Sequence, residues 1–147
     1  MKSSLRAVLL AEDSPADAEM ALDALRDANL ANPIVHVEDG IEVMDFLLRR
    51  GRFATRPEGL PAVLLLDIKM PRMDGLEVLK QLRDHETLKR MPVVILSSSR
   101  EESDLARSWD LGVNAYVVKP VDVDQFFDAV RTLGKFWAVL NEVPEED

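Results

Sequence analysis

The sequence predicts an α/β domain in which helices cover both faces of an open parallel β-sheet. Short apolar runs, typical of strands buried on both faces, alternate along the chain with longer amphipathic segments. The alternation occurs five times, and successive βα units build parallel sheets. The 147 residues contain no internal repeat and suffice for one domain, but not for a tandem of full-sized domains.

The first two βα units lie at the start of the chain. Residues 7–11 form a continuous apolar run and predict strand one. Helix one is predicted to have Ser14 as its cap and Pro15 at its first position, and to reach about Leu30. Residues 34–37 predict strand two. Helix two then carries the apolar residues Val43, Phe46 and Leu47.

The third unit follows a loop. Residues 51–61 contain two glycines and two prolines, a composition typical of loops. Residues 62–66 are apolar throughout and predict strand three, buried on both faces. Apolar residues at helical spacing predict helix three after this strand. They are Leu76, Leu79 and Leu82.

The last two units complete the sheet and end the domain. Residues 93–96 predict strand four, and residues 116–118 predict strand five. We expect the domain core to cover residues 5–138, with an extension and an acidic tail over 139–147. Each strand precedes a helix. The apolar helix residues are Leu105, Trp109 and Leu111 in helix four, and Phe126, Val130, Leu133 and Trp137 in helix five.

Charge and composition exclude several classes of function. The chain has 18 basic and 27 acidic residues, a formal net charge of −9, and its field repels nucleic-acid phosphates. It has no cysteine, which excludes a disulfide scaffold and a thiolate metal site. The first apolar run meets Glu12 and Asp13 too soon for a signal peptide, and no stretch approaches a membrane span. We expect a cytoplasmic protein that binds neither nucleic acid nor membranes.

Polar residues follow the predicted strands at the edge where open α/β sheets bind ligands. Glu12 and Asp13 follow strand one, and Asp67 follows strand three. Ser97 follows strand four, and Lys119 follows strand five. Three carboxylates at close range repel one another and require a cation. Because the donors are all oxygen atoms, they suit a hard ion such as Mg²⁺.

Each of these residues also has a structural explanation. Asp67 could cap the turn after its strand, and Glu12 with Asp13 could be a solvated helix entry. Ser97 could cap helix four, and Lys119 could be an exposed loop residue. Their joint occurrence at the strand ends that the fold singles out favours a functional site.

Four separated segments resemble the receiver domain of response regulators, the phosphoryl acceptors of two-component signalling. They are Glu12-Asp13-Ser14, residues 64–75 (LLLDIKMPRMDG), Leu96-Ser97-Ser98 and residues 116–120 (YVVKP). The segments occur in the family's order, and the resemblance covers nearly the whole chain. It implies a flavodoxin-like fold, a doubly wound five-stranded parallel sheet of order 2-1-3-4-5 with five helices.

The resemblance also implies roles for individual residues. Asp67 matches the aspartate that accepts the phosphoryl group, and Lys119 matches the lysine that pairs with it. Ser97 and Tyr116 match the switch hydroxyl and the switch aromatic residue. The family's metal is Mg²⁺, for which Mn²⁺ can substitute. The implied ligands are Asp13, Asp67, the Lys69 carbonyl oxygen and, mainly through water, Glu12.

A narrower resemblance comes from a long loop at residues 49–57 and from the C-terminal residues 136–142. Both are similar to those of single-domain regulators paired with phytochrome-type sensor histidine kinases. The implied function is acceptance of a phosphoryl group on Asp67 from such a kinase, with slow autodephosphorylation and no other enzymatic activity. These regulators pair through helix four, strand five and helix five, so we expect a homodimer. Its predicted interface residues are Phe127, Phe136, Trp137, Val139 and Leu140.

Other functions stay open at this stage. The chain could be a phosphorelay intermediate or a phosphate sink for another kinase. A Mg²⁺-dependent small-molecule phosphatase with Asp67 as nucleophile would need a second aspartate two residues later, where the chain has Lys69. A flavodoxin-like cofactor binder would need a phosphate loop after strand one, where Glu12 and Asp13 would repel the phosphate.

Overall fold

A parallel sheet forms the centre of the protein. The computed structural model describes residues 6–98, 102–119 and 122–140, to which the structural statements below refer. Its strands lie in the order β2-β1-β3-β4-β5, and every neighbouring pair is parallel. This confirms the predicted fold class and strand order. The strands are β1 (Val8–Ala11), β2 (Ile34–Val37), β3 (Val63–Leu66), β4 (Val93–Ser97) and β5 (Ala115–Val118).

Five α-helices alternate with these strands in the described part of the chain. Ser14 caps the first one, with its Oγ accepting from the Asp17 amide, and Pro15 takes the first helical position as predicted. None of the described helices has the length and apolar character that crossing a bilayer requires. The helices are α1 (Pro15–Asp27), α2 (Gly40–Leu47), α3 (Gly75–Asp84), α4 (Glu102–Asp110) and α5 (Val123–Lys135).

Two apolar clusters cover the two faces of the sheet. One contains Leu9 and Leu64 with the buried faces of α2 and α3. The other contains Leu10 and Leu65 with the buried residues of α1 and α5. Every residue of β1 and β3 is buried, as expected for strands covered on both sides. The carboxyl ends of the strands are therefore the part of the sheet left for a ligand site.

Helix α4 does not bury the apolar residues that the sequence predicts. Trp109 is 56% exposed, whereas the polar residues Asp104 and Ser108 are buried. The predicted inward pair, 105/109, and the observed buried pair, 104/108, both have the four-residue spacing of one helix face. The helix is therefore rotated about its axis by one residue relative to the prediction. The Asp104 carboxylate lies 3.9 Å from the Lys69 ammonium nitrogen and so has a positively charged neighbour. Leu111 lies beyond the end of α4.

Other element boundaries shift by a few residues. Helix α1 ends at Asp27 rather than near Leu30, and the predicted loop at 51–61 contains a 3-10 turn at Gly51–Phe53. A π-helical turn, Phe136–Leu140, continues α5. The predicted acidic tail at 142–147 lies outside the described residues.

Candidate functional site

Backbone hydrogen bonds carry the strand register past the strand ends and bring the candidate residues together. The Glu12 amide donates to the Val37 carbonyl at 3.0 Å, and the Asp67 amide donates to the Ala11 carbonyl at 3.1 Å. The Lys119 amide donates to the Ser97 carbonyl at 2.7 Å. These bonds anchor the first residue after β1, β3 and β5 at one edge of the sheet.

Three carboxylates form the centre of this edge. Glu12, Asp13 and Asp67 each offer an oxygen atom, and these atoms lie within 4.8 Å of one another. The Glu12 Oε2 accepts from the Ser14 amide at 3.1 Å, and the Asp67 Oδ1 accepts from the Ile68 amide at 2.8 Å. Glu12 and Asp67 are buried, whereas Asp13 is exposed. Two carboxylates are thus fixed by their own loops, and the third faces solvent.

Lys119 supplies positive charge to the cluster. Its ammonium nitrogen lies 2.5 Å from Glu12 Oε1, 3.0 Å from Asp17 Oδ2 and 3.4 Å from Asp67 Oδ2. The lysine side chain is only 10% exposed. The resemblance implies that Lys119 pairs with a phosphate. In this structure its positive charge is already paired with three carboxylates.

The pKa values of Glu12 and Lys119 are both raised by their surroundings in the site. Burial, together with the charge of Asp67, raises the pKa of Glu12 to about 7 against the opposing pull of Lys119. Burial alone would lower the pKa of Lys119, but the bond to Glu12 and the charge of Asp67 outweigh it and raise that pKa to about 12. The lysine is held in its charged form, while the carboxyl group of Glu12 resists ionisation.

The donor set fits a divalent metal ion. Glu12, Asp13 and Asp67 supply the donor oxygens, and in the described residues Lys119 is the one ammonium group that contacts Glu12 and Asp67. The excess negative charge and the all-oxygen donors suit a hard cation that keeps several waters, such as Mg²⁺. Ligation by the Lys69 carbonyl remains a prediction.

The loop after β3 is held close beneath Asp67. The Gly75 amide donates to the Ile68 carbonyl at 2.8 Å, and a Cβ atom on Gly75 would overlap the Asp67 carbonyl oxygen. Asp74 caps α3, with its Oδ1 accepting from the Glu77 amide at 3.0 Å. The Asp74-Gly75 pair therefore both starts a helix and allows close contact with the Asp67 backbone.

The predicted switch residues lie on the two strands next to Lys119. Ser97 ends β4, is fully buried and pairs with Val118 in the sheet. Tyr116 belongs to β5 and pairs with Ile95 of β4. Its side chain is partly buried and packs against the cluster that contains Leu64. The switch roles implied for Ser97 and Tyr116 stay predictions.

The predicted interface residues do not form one exposed patch. Phe136 is 46% exposed, and its ring lies edge-on to that of Trp137 at 5.0 Å. Phe127 and Trp137 are partly buried and pack against the cluster that contains Leu65. The side chains of Val139 and Leu140 lie outside the described part of the structure. Phe136 is thus the most exposed of the predicted residues that are described.

Several contacts of the site have no clear sequence signal. His36 of β2 donates from Nε2 to the Glu12 carbonyl at 2.8 Å, although the sequence indicates only a strand position. Asp17, predicted only as a first-turn acid, reaches Lys119. Arg72 contacts Asp39, 33 residues away, at 2.8 Å. Each joins parts of the chain that become neighbours only in the folded sheet.

Comparison with known families decides the assignment. The sequence model of the response regulator receiver domain matches residues 8–131. The chain belongs to this family. Receiver domains in general accept a phosphoryl group and bind a divalent metal ion, and this chain has an acidic cluster that could hold such an ion.

Similar receivers include phytochrome regulators. Response regulator Rcp1 of a Synechocystis species is 34% identical over 95% of this chain and 93% of its own length. The crystal structure of Rcp1 in an Mn²⁺-bound form has a TM-score of 0.87 at 33% identity, covering 95% and 99% of the two chains. That of the phosphorylated cyanobacterial phytochrome response regulator RcpA has a TM-score of 0.88 at 36% identity, covering 96% and 99%. The bacteriophytochrome response regulator AtBRR is 54% identical over 95% and 99%, with a TM-score of 0.76.

Proposed function

We propose that this receiver accepts a phosphoryl group on the Oδ2 atom of Asp67. One observation carries the proposal: this oxygen faces the Lys119 ammonium group at 3.4 Å, while Oδ1 is engaged by the Ile68 amide at 2.8 Å. The Asp67 side chain is 9% exposed, which leaves a narrow approach for a donor. An oxygen atom whose neighbour is this positive charge suits an attack on an anionic phosphoryl group.

Asp13 and Asp67 would hold Mg²⁺, with Glu12 acting mainly through water and the Lys69 carbonyl adding an oxygen. The Mn²⁺-bound Rcp1 structure supports a divalent ion and the use of Mn²⁺ in its place. When bound, the ion would neutralise charge on the transferring phosphoryl group. Lys119 would stabilise the same charge from the other side, since its ammonium already lies at Asp67.

The transfer needs one proton besides the phosphoryl donor. An electron pair of Asp67 Oδ2 forms a bond to phosphorus while the bond from phosphorus to the histidine nitrogen of the kinase breaks, and the imidazole leaves with that electron pair and takes up a proton from water. Hydrolysis reverses the modification when water attacks phosphorus and the carboxylate leaves. We propose that this step is slow, because the Asp67 side chain is 9% exposed.

Ser97 and Tyr116 would convert the modification into a shape change. The new phosphate oxygens would attract the hydroxyl of Ser97, which ends the strand next to β3. Tyr116 lies on the following strand and is partly buried against the core, and we infer that it turns further inward when the Ser97 hydroxyl moves. The charge added at Asp67 would thus favour one of two packings of this edge.

Phosphorylation by a small-molecule donor tests the acceptor directly. The protein is incubated with acetyl phosphate with and without Mg²⁺, and its intact mass is measured. We expect a gain of one phosphoryl group that requires the metal and is absent in Asp67→Asn. Asp84→Asn, at the exposed end of α3, is the matched control and should gain the group as the wild type does.

We propose a phytochrome-type sensor histidine kinase as the donor, acting on a single receiver domain in the cytoplasm. The support is the likeness to RcpA, Rcp1 and AtBRR, each of which matches 95% or 96% of this chain. Transfer rates from each histidine kinase of the source organism should be highest for a phytochrome-type kinase. A faster transfer from another kinase would instead favour a phosphorelay or phosphate-sink role.

A further inference from the structure

Asp17 is a fourth carboxylate beside the acceptor. Its Oδ2 atom lies 3.0 Å from the Lys119 ammonium nitrogen, closer than Asp67 Oδ2 at 3.4 Å. It comes from the first turn of α1 rather than from the end of a strand. Its side chain is 33% exposed, against 4% for Glu12 and 9% for Asp67. Asp17 therefore contacts the lysine from the more open side of the site.

The contact of Asp17 with the site passes through Lys119. The described group of candidate metal ligands consists of Glu12, Asp13 and Asp67, without Asp17. An ammonium group has three N–H donors, and Glu12, Asp17 and Asp67 are within reach of one donor each. A phosphoryl group on Asp67 brings further acceptor oxygens. It can engage the saturated ammonium only if one of the existing bonds is given up.

Among the three bonds, the one to Asp17 is the least costly to break. Glu12 is buried, and it would be left without its cation in a region of low polarity. Asp67 carries the incoming group itself. Asp17 is the most exposed partner, and water can replace the ammonium at its carboxylate.

We propose that Asp17 is a positioning residue that competes with the phosphoryl group for the Lys119 ammonium. The inference rests on the proposed function of Asp67, and it names the residue that limits how tightly the phosphoryl group is held. In the unmodified protein Asp17 anchors the lysine. In the phosphorylated protein the lysine turns from Asp17 to the phosphate, so that Asp17 lowers the stability of the modified state.

A helix-entry role is the alternative explanation for Asp17. An acidic residue in the first turn stabilises a helix through its dipole, and this role needs no contact with Lys119. The two explanations differ in what happens to the lysine and to phosphate mimics when the charge is removed.

The test uses beryllofluoride, a mimic of the phosphoryl group, in the presence of Mg²⁺. Asp17→Asn should bind it about twofold to fivefold more tightly than the wild type, the range expected for a partly exposed ion pair. Glu19→Gln removes the same charge from an exposed position of α1 and should leave the affinity unchanged. Asp17→Glu, which retains the carboxylate, should return the affinity toward that of the wild type.

A second readout follows the lysine without any phosphate mimic. Nitrogen-15 relaxation of the Lys119 ammonium should show a lower order parameter in Asp17→Asn than in the wild type and in Glu19→Gln. An unchanged order parameter, an unchanged beryllofluoride affinity, or an equal gain in Glu19→Gln would overturn the inference. Wild-type protein that binds no beryllofluoride would instead contradict the proposed function, while the relaxation data would still decide whether Asp17 holds Lys119.

Discussion

Lys119 and a divalent ion compete for the same carboxylates. The lysine contacts Glu12 and Asp67, and both belong to the group of candidate metal ligands. Replacing Lys119 by methionine removes the competing cation, so the affinity for Mg²⁺ should rise about threefold to tenfold. Calorimetric titration measures it, and a lower affinity in Lys119→Met would contradict this reading of the site.

Replacing Asp13 should have the opposite effect on the affinity for Mg²⁺. Asp13 is the exposed member of the carboxylate group, and it is not among the carboxylates that Lys119 contacts in the described residues. Asp13→Asn should weaken Mg²⁺ binding about tenfold or more, equivalent to about 1.4 kcal/mol. Asp84→Asn, an exposed acid elsewhere, serves as control in the same titration. Equal affinities in Asp13→Asn and wild type would remove Asp13 from the ligand set.

Gly75 should be the least replaceable glycine near the acceptor. A Cβ at this position would overlap the backbone carbonyl of Asp67, whereas a Cβ at Gly134 would meet the tip of the Leu25 side chain at 2.7 Å. A side-chain tip can rotate away, but the acceptor loop cannot. Gly75→Ala should lower the free energy of unfolding by about 2–4 kcal/mol in urea titrations, more than Gly134→Ala. An equal or smaller loss for Gly75→Ala would contradict the close contact.

Individual residues differ in how far sequence could assign them. Glu12, Asp67 and Lys119 were predictable because each follows a strand, and strand ends converge in any open parallel sheet. The contacts of Asp17 and His36 were not. Asp17 has a sufficient local explanation as a helix-entry acid, and His36 meets Glu12 only because β2 lies beside β1.

At the scale of elements, Arg83 joins the end of α3 to two loops. Its guanidinium donates to the carbonyls of Lys89 and Met91 before β4, and to those of Leu111 and Gly112 before β5, at 2.8–3.0 Å. No acidic partner is among these contacts. The side chain therefore positions the connections that lead into the two strands carrying Ser97 and Tyr116.

Removing Arg83 should leave several carbonyl groups without a donor. Arg83→Ala should reduce the free energy of unfolding by about 2–4 kcal/mol, measured by urea denaturation. Arg90→Ala removes an exposed arginine from the same region and should change stability by less than about 0.5 kcal/mol. Similar losses in both variants would show that Arg83 does not hold the two connections.

Helix α4 shows where periodicity misleads. Apolar spacing predicted an inward Trp109, yet Asp104 and Ser108 are the buried pair. Strands such as β3 are assigned from composition because both faces are buried. A short helix can instead bury polar side chains whose partners come from distant parts of the chain. The Asp104 carboxylate, for example, lies 3.9 Å from the Lys69 ammonium nitrogen, a contact that the sequence does not reveal.

At the scale of the whole molecule, we propose a homodimer through α4, β5 and α5. The support is the exposure of Trp109 at 56% on α4 and of Phe136 at 46% at the end of α5. Light scattering at high micromolar concentration should report a dimer for the wild type and a monomer for Phe136→Glu. Thr87→Glu, exposed and outside these elements, should remain dimeric. A monomeric wild type would contradict the proposal.

The central claim, that Asp67 carries the phosphoryl group, is tested most directly by locating the modified residue. The protein is phosphorylated with acetyl phosphate and Mg²⁺, reduced with borohydride, which converts an aspartyl phosphate into homoserine, and sequenced by tandem mass spectrometry. We predict homoserine at position 67 and unmodified aspartate at positions 13 and 17. Homoserine at either of those positions, with intact Asp67, would contradict the account.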